Sequence, residues 1–169
     1  NERTTLAAFK AKNRIGQALA ADEQEVSIVV GDQRDRGYGR KMTGRMNADG
    51  SIAFVVENYL AGGYGAYSSL NLDAAVVSEP KWHVGTNGIE FSVVQPGTAN
   101  PANTIKGTPT VKFLKFFTFD PITGARLNMV NLDSRGDKAM PTACISCHGG
   151  RADALTPATA PAVRGLFPR

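Results

Sequence analysis

Lys112-Phe-Leu-Lys-Phe-Phe-Thr-Phe119 is the stretch on which the fold class turns. Side chains alternate along an extended chain, so Phe113, Phe117 and Phe119 fall on one side and Leu114 and Phe116 on the other. Apolar groups on both sides predict a central strand covered on both faces, one cover being the N-terminal helix. Ser51–Leu60 (SIAFVVENYL), entered through the turn Asn47-Ala-Asp-Gly50, reads as a second strong strand, and Val26–Val30 as a short apolar one. Two hairpins are expected. Lys81–Val84 and Ile89–Val94 flank Asn87-Gly88, the favoured pair for a tight type I′ turn. Val111–Asp120 and Arg126–Leu132 flank Pro121-Ile-Thr-Gly124, where the glycine takes the left-handed position. Before the strands, Thr4 or Thr5 caps a helix running to about Ala21, with Leu6, Phe9, Ile15 and Leu19 on one stripe. The fold class that follows is α+β, mainly β: an N-terminal helix, an antiparallel sheet of about five to seven strands, and a separate C-terminal segment. A single domain is expected, divided into the helix (1–22), a β-rich core (26–132) and the C-terminal segment (133–169).

That last segment carries the chemistry. Cys144-Ile-Ser-Cys147-His148 uses both cysteines and one of the 2 histidines of the chain. C-x-x-C-H is the attachment signature of c-type haem. Two thiols a helical turn apart can each add to a vinyl group on the same porphyrin edge, and the histidine directly after them is held under the iron as an axial ligand. Two other readings of the motif fit less well. A redox-active disulfide suits a turn that follows an apolar strand, whereas this motif follows the loop Arg135-Gly-Asp-Lys-Ala-Met-Pro141. A zinc site needs about four ligands, and His148 lies too close to Cys147 to complete an unstrained tetrahedron. Covalent haem is therefore the expected cofactor. Arg135, Lys138 and Arg151 flank the motif and are candidate partners for its propionates, through charge-assisted hydrogen bonds.

Covalent haem is attached outside the cytoplasm. With Asn1 at the start and no basic-plus-apolar leader, the expectation is an exported protein, periplasmic or extracellular, whose signal peptide is already removed. No run of about 18 apolar residues is present, so no membrane span is expected. The net charge of +4 makes a mildly basic chain without a dense Lys/Arg stripe and interleaved aromatics, which argues against nucleic acid. The cluster Arg34-Asp-Arg36…Arg40-Lys41…Arg45 reads as a solvated loop, or else as a docking face for an acidic redox partner. The Gly/Tyr stretch Gly62–Ser69 lacks any phosphate-binding spacing. With the proline-rich Pro157–Pro161 it could instead serve a subunit of a larger assembly. Arg135-Gly136-Asp137 is a chance tripeptide, and Asn47-Ala-Asp-Gly50 lacks the downstream acid of a calcium loop.

The position of the motif narrows the choice of haem protein. In small cytochromes c the motif lies near the N-terminus and a distant methionine supplies the second ligand; here Gly149–Arg169 contains no Met, His or Cys. The four-helix cytochromes c′ are contradicted by the strands between Ser51 and Leu132. Over Met140-Pro-Thr-Ala-Cys144-Ile-Ser-Cys147-His148 and in its order of elements, the chain resembles the β-rich haem proteins of the cytochrome P460 type and the β-sheet form of cytochrome c′. The resemblance implies a motif near the end of a mostly antiparallel sheet. It also implies a lysine cross-linked to the porphyrin, for which Lys81, Lys106, Lys112 and Lys115 are candidates by order alone.

The sixth iron position separates two functions. Distal candidates are His83 and Met140. The hairpin register places His83 beside Glu90 and Ser92 on a polar face, and Met140 packs against the ring edge. Met42, Met46 and Met129 read as core residues. A six-coordinate iron gives an electron carrier. An open one gives an enzyme or gas-binding protein acting on a small nitrogen compound, nitric oxide or peroxide, with His83, Glu90 or Arg126 as proton-transfer group.

Overall fold

A computed structural model describes residues 3–32, 37–62, 68–93, 112–131 and 136–148. Alternating side chains build five antiparallel strands: β1 (Gln24–Gly31), β2 (Gly39–Met46), β3 (Ile52–Tyr59), β4 (His83–Val93) and β5 (Lys112–Phe119). They lie side by side in chain order. Helix α1 (Leu6–Lys12) precedes them and α2 (Ser69–Val77) stands between β3 and β4. The short pair β6 (Met129–Val130) and β7 (Lys138–Ala139) leads into α3 (Thr142–His148). The architecture is α+β and mainly β, as the sequence predicts. None of the described helices is long and apolar enough to cross a membrane.

One sheet face holds the core. Phe9 of α1 packs on Ala53 and Val55 of β3 and on Phe119 of β5, with Ile15 beside them. Further along, Ala74 and Ala75 of α2 cover Tyr59, with Val29 and Trp82 against them. The opposite face, from Ile28 through Met42, Phe54 and Ile89 to Phe116, is also mostly apolar but only partly covered.

Helix α1 is shorter than predicted. Thr5 Oγ1 caps it by accepting from Ala8 N–H at 3.1 Å. It stops at Asn13, whose amide nitrogen donates back to Phe9 O at 3.0 Å, and Arg14 and Gly16 follow at φ of 59° and 78°. The apolar stripe continues past that stop, so Ile15 is still buried, while Leu19 is 54 % exposed.

The sequence gives no signal for α2, and the reason is physical. Its small residues Ala74 and Ala75 face inward, whereas Leu70, Val76 and Val77 are exposed. The period that marks an amphipathic helix is therefore scrambled. Ser68 caps it by accepting from Leu70 N–H at 3.2 Å.

The first expected hairpin is absent. Asn87 and Gly88 lie inside β4, opposite Val56 and Val55 of β3 and opposite Thr118 and Phe117 of β5. Gly88 serves packing rather than a turn: a Cβ there would stand 3.0 Å from ring carbons of both Phe119 and Phe9. Gly88→Ala is expected to cost about 1–3 kcal/mol through overpacking. Urea denaturation measures it, and a loss below ~0.5 kcal/mol would mean that the two rings yield freely.

The second turn forms as read, with Gly124 left-handed at φ 67° and its N–H donating to Asp120 O at 3.0 Å. Its expected return strand ran to Leu132, which lies outside the described residues. Among the described residues that follow the turn, the chain pairs with β5 through the Phe119–Arg126 bridge and the Leu127 N–H to Thr118 O bond of 2.8 Å, then leaves to form β6. Nor is β5 central. It is the last strand of the sheet, yet both its faces are engaged: Phe117 and Phe119 lie 5.4 and 5.5 Å from Phe9, and Phe116 points the other way.

The basic cluster also departs from the solvated-loop reading. Arg40, Lys41 and Arg45 belong to β2, and Arg45 is fully buried. Its guanidinium donates to Glu23 Oε2 at 2.6 Å, to Gln17 O at 3.0 Å and to Ala18 O at 3.3 Å. Those bonds fasten the segment after α1 onto the sheet, so Arg45 is unavailable to a partner. Arg34 and Arg36 lie outside the described residues.

Candidate functional site

The motif forms most of α3. Helical spacing places positions 144, 147 and 148 on one side of that helix, where two thiols and an imidazole can address one planar group. Pro141 O accepts from the N–H groups of Cys144 and Ile145 at 3.0 and 3.1 Å, and this starts the helix. Pro141 itself follows a cis peptide bond from Met140. Upstream, β6 pairs with β7, and Met140 N–H donates to Asn128 O at 2.9 Å, so the motif springs from an anchored support.

α3 lies against the less covered face of the sheet. His148 stacks on Phe116, with ring centroids 5.8 Å apart and planes 20° from parallel. Cys144 is buried, and its Sγ lies 3.9 Å from Met140 Sδ. Met140 Sδ lies 3.6 Å from Thr118 Oγ1, which donates to Asn87 Oδ1 at 3.0 Å. The site thus has a polar pair at one end, Asn87 and Thr118, and continues along the face through Phe116, Ile89 and Phe54. Cys147 is described by its backbone alone. His148 is exposed.

Comparison with protein-family models, with curated proteins and with solved structures gives no match. The site must be read from its own residues.

The sequence-derived candidates divide sharply. Cys144, Met140 and His148 come together. Lys138 stands on β7 beside them, with Nζ 3.5 Å from Gly136 O. Arg135 and Arg151 lie outside the described residues. His83 is not brought to the motif. Its Nε2 is 2.9 Å from Thr86 Oγ1 and its ring 5.3 Å from that of Tyr59, both on the core face, across the sheet from Phe116. The hairpin argument for its position falls with the hairpin, although Thr86, Gly88 and Glu90 do share that face with it.

Glu90 also lies on the core face and is fully buried. Arg3 grips it with two bonds of 2.5 and 2.6 Å; Asn13 donates at 3.1 Å, Lys115 at 3.1 Å, and Ser92 also donates. Burial raises its pKa, but the hydrogen bonds from Arg3 and Ser92 and the charges of Lys115 and Arg3 outweigh this and hold it at about 2. A carboxylate so fixed does not shuttle protons near neutral pH. Arg126 is exposed on the chain leaving β5.

Among the lysines, Lys115 is committed to Glu90, and Lys81 lies over the Trp82 ring at 4.6 Å. Lys112 shares the face of Phe116 by alternation, and its Nζ donates to Asp49 O at 2.6 Å. Lys106 lies outside the described residues. Of the other methionines, Met42 and Met46 stand on the face of Phe54, and Met129, read as core, is 51 % exposed on β6.

Sequence reasoning missed Thr118 and Asn87 as site residues. Thr118 was within reach, two positions from Phe116 on the same side of the strand. Asn87 was hidden because Asn-Gly signals a turn.

Proposed function

We propose that this chain is a monohaem c-type cytochrome in which Cys144 and Cys147 form thioethers with the porphyrin, His148 is the proximal iron ligand, and the protein transfers electrons. One observation carries the reading: the attachment motif is displayed on a short helix whose histidine stacks on Phe116, at the margin of an apolar sheet face left partly uncovered. The donor set fits the group. Thiols add to vinyl carbons without a leaving group, imidazole binds iron, and Phe116, Ile89 and Phe54 offer hydrocarbon to the porphyrin plane. Bound haem supplies a one-electron couple, tuned by its axial ligands and by burial. The chain's own contribution is to hold the His148 ring in place, through Phe116 stacking and the Pro141 start of α3, and to exclude water with the apolar face. Lys138 is the described basic residue suited to a propionate. An acidic redox partner, and export to a periplasmic or extracellular compartment, follow from this reading.

A second reading, an open iron site that binds a small gas or nitrogen compound, is favoured by the location of His83 on the other side of the sheet. Absorption spectra of the purified protein, oxidised, reduced and reduced under carbon monoxide, separate the two. Sharp reduced bands indifferent to carbon monoxide support the electron carrier; bands that shift with it support the open site. A protein without haem bands after expression alongside haem-attachment machinery refutes both. In either case His83→Ala is expected to leave the spectrum unchanged, and an altered spectrum would place His83 on the iron.

A further inference from the structure

The structure also points to a surface that the haem reading does not use. Strand β1 ends the sheet, and among the described residues its sole strand neighbour is β2. A free strand edge offers a row of backbone donors and acceptors, and proteins ordinarily blunt it with proline, lysine or a bulge. Gln24–Gly31 (QEVSIVVG) has no proline and no lysine, and it pairs with β2 residue for residue without a register shift. The strand cannot easily bend away, because Val29 on its core side packs against the cluster of Tyr59 with Ala74 and Ala75 of α2. On the other side Val26, Ile28 and Val30 are 65, 51 and 36 % exposed.

This row reads the same in both directions about Ile28. We propose that β1 pairs with β1 of a second copy across a two-fold axis, making one continuous sheet of both chains. Paired residues of an antiparallel ladder share a face, so centring on Ile28 sets Ile28 opposite itself and Val26 opposite Val30. Ser27 then meets Val29 and Glu25 meets Gly31, so no like charges oppose each other. Shifting the centre to Ser27 or to Val29 breaks this match, setting Gln24 against Val30 or Val26 against Asp32. Symmetry of the row selects a second copy over a foreign strand.

Sedimentation velocity of the purified protein at micromolar concentration tests this, without reference to haem content. The expected mass is near twice that of one chain. Ile28→Lys places two ammonium groups face to face at the axis and is expected to give a single-chain mass with unchanged far-ultraviolet circular dichroism. Should Ile28→Lys misfold, Val26→Lys, at a still more exposed position, sets an ammonium group against Val30 of the second copy and is likewise expected to give a single-chain mass. Val77→Lys on α2, where Val77 is 69 % exposed, keeps the doubled mass. A single-chain mass for the unaltered protein, or a doubled mass that persists in both β1 variants, overturns the proposal.

Discussion

On the proposed haem reading, Cys144→Ser with Cys147→Ser is expected to abolish haem retention after denaturation: acid–acetone is expected to extract all of the pigment, and a denaturing gel to show no haem stain at the mass of the chain. The unaltered protein is expected to keep its pigment through both treatments. The reason is covalent. Each thiol adds across a vinyl double bond, its hydrogen going to the neighbouring carbon, and a serine hydroxyl does not make that bond under the same conditions. Single variants discriminate further, because Cys144→Ser or Cys147→Ser keeps one thioether and therefore retains pigment. Serine is nearly isosteric with cysteine, so buried Cys144 loses mainly its sulfur contact with Met140, and the fold is expected to survive. Full retention of pigment in the double variant would refute thioether attachment at these positions.

The second large effect concerns stability rather than chemistry. Glu90 is fully buried among Arg3, Lys115, Asn13 and Ser92. Glu90→Ala leaves a guanidinium and an ammonium facing one another with no counter-charge, and the expected loss is about 3–5 kcal/mol at neutral pH. Acid removes the same interaction in the unaltered protein. The carboxyl binds its proton near 4.5 when unfolded and near 2 when folded, so the unfolded chain takes up protons first as the pH falls. The stability linked to Glu90, on the order of 3 kcal/mol, is complete above the unfolded value and lost progressively towards the folded one. Urea denaturation at a series of pH values follows this, and Glu90→Gln is expected to flatten the profile across that window. An equally steep acid profile in Glu90→Gln would show that other carboxylates govern the loss.

The two predictions sit on opposite sides of one sheet, and the sequence marked them unequally. The spacing of Cys144, Cys147 and His148 was legible because it is local: five consecutive residues set it, and the structure places them on one helix. The capped start of α1 at Thr5 and the left-handed Gly124 were legible for the same reason, each depending on a neighbour or two. Strand alternation in Phe113–Phe119 told which aromatics share a side, and α1 does cover Phe117 and Phe119 as expected.

Other features depend on groups distant in sequence. Asn87-Gly88 has the composition of a turn, but strands on both sides hydrogen-bond to that stretch and two phenylalanine rings need the space of a missing Cβ. Pairing and packing outweighed local preference there. Arg45 looked like one more surface cation until Glu23 and the carbonyls of Gln17 and Ala18 closed around it. Helix α2 was silent because its inward residues are an asparagine, Asn71, and two alanines. His83, the one other histidine, could be assigned to a face only once the true extent of β4 was known.

By itself the sequence determined the mainly β class, the antiparallel strands and the spacing of Cys144, Cys147 and His148 on which the haem proposal rests, because alternation, capping and motif spacing act over a few bonds. Only the tertiary structure decided that β5 and β1 end the sheet among the described strands, and that Phe116 receives His148 while His83 and Glu90 turn to the core. Those outcomes depend on which strands lie side by side, and strand pairing is settled by burial and hydrogen bonding between segments that no local pattern connects.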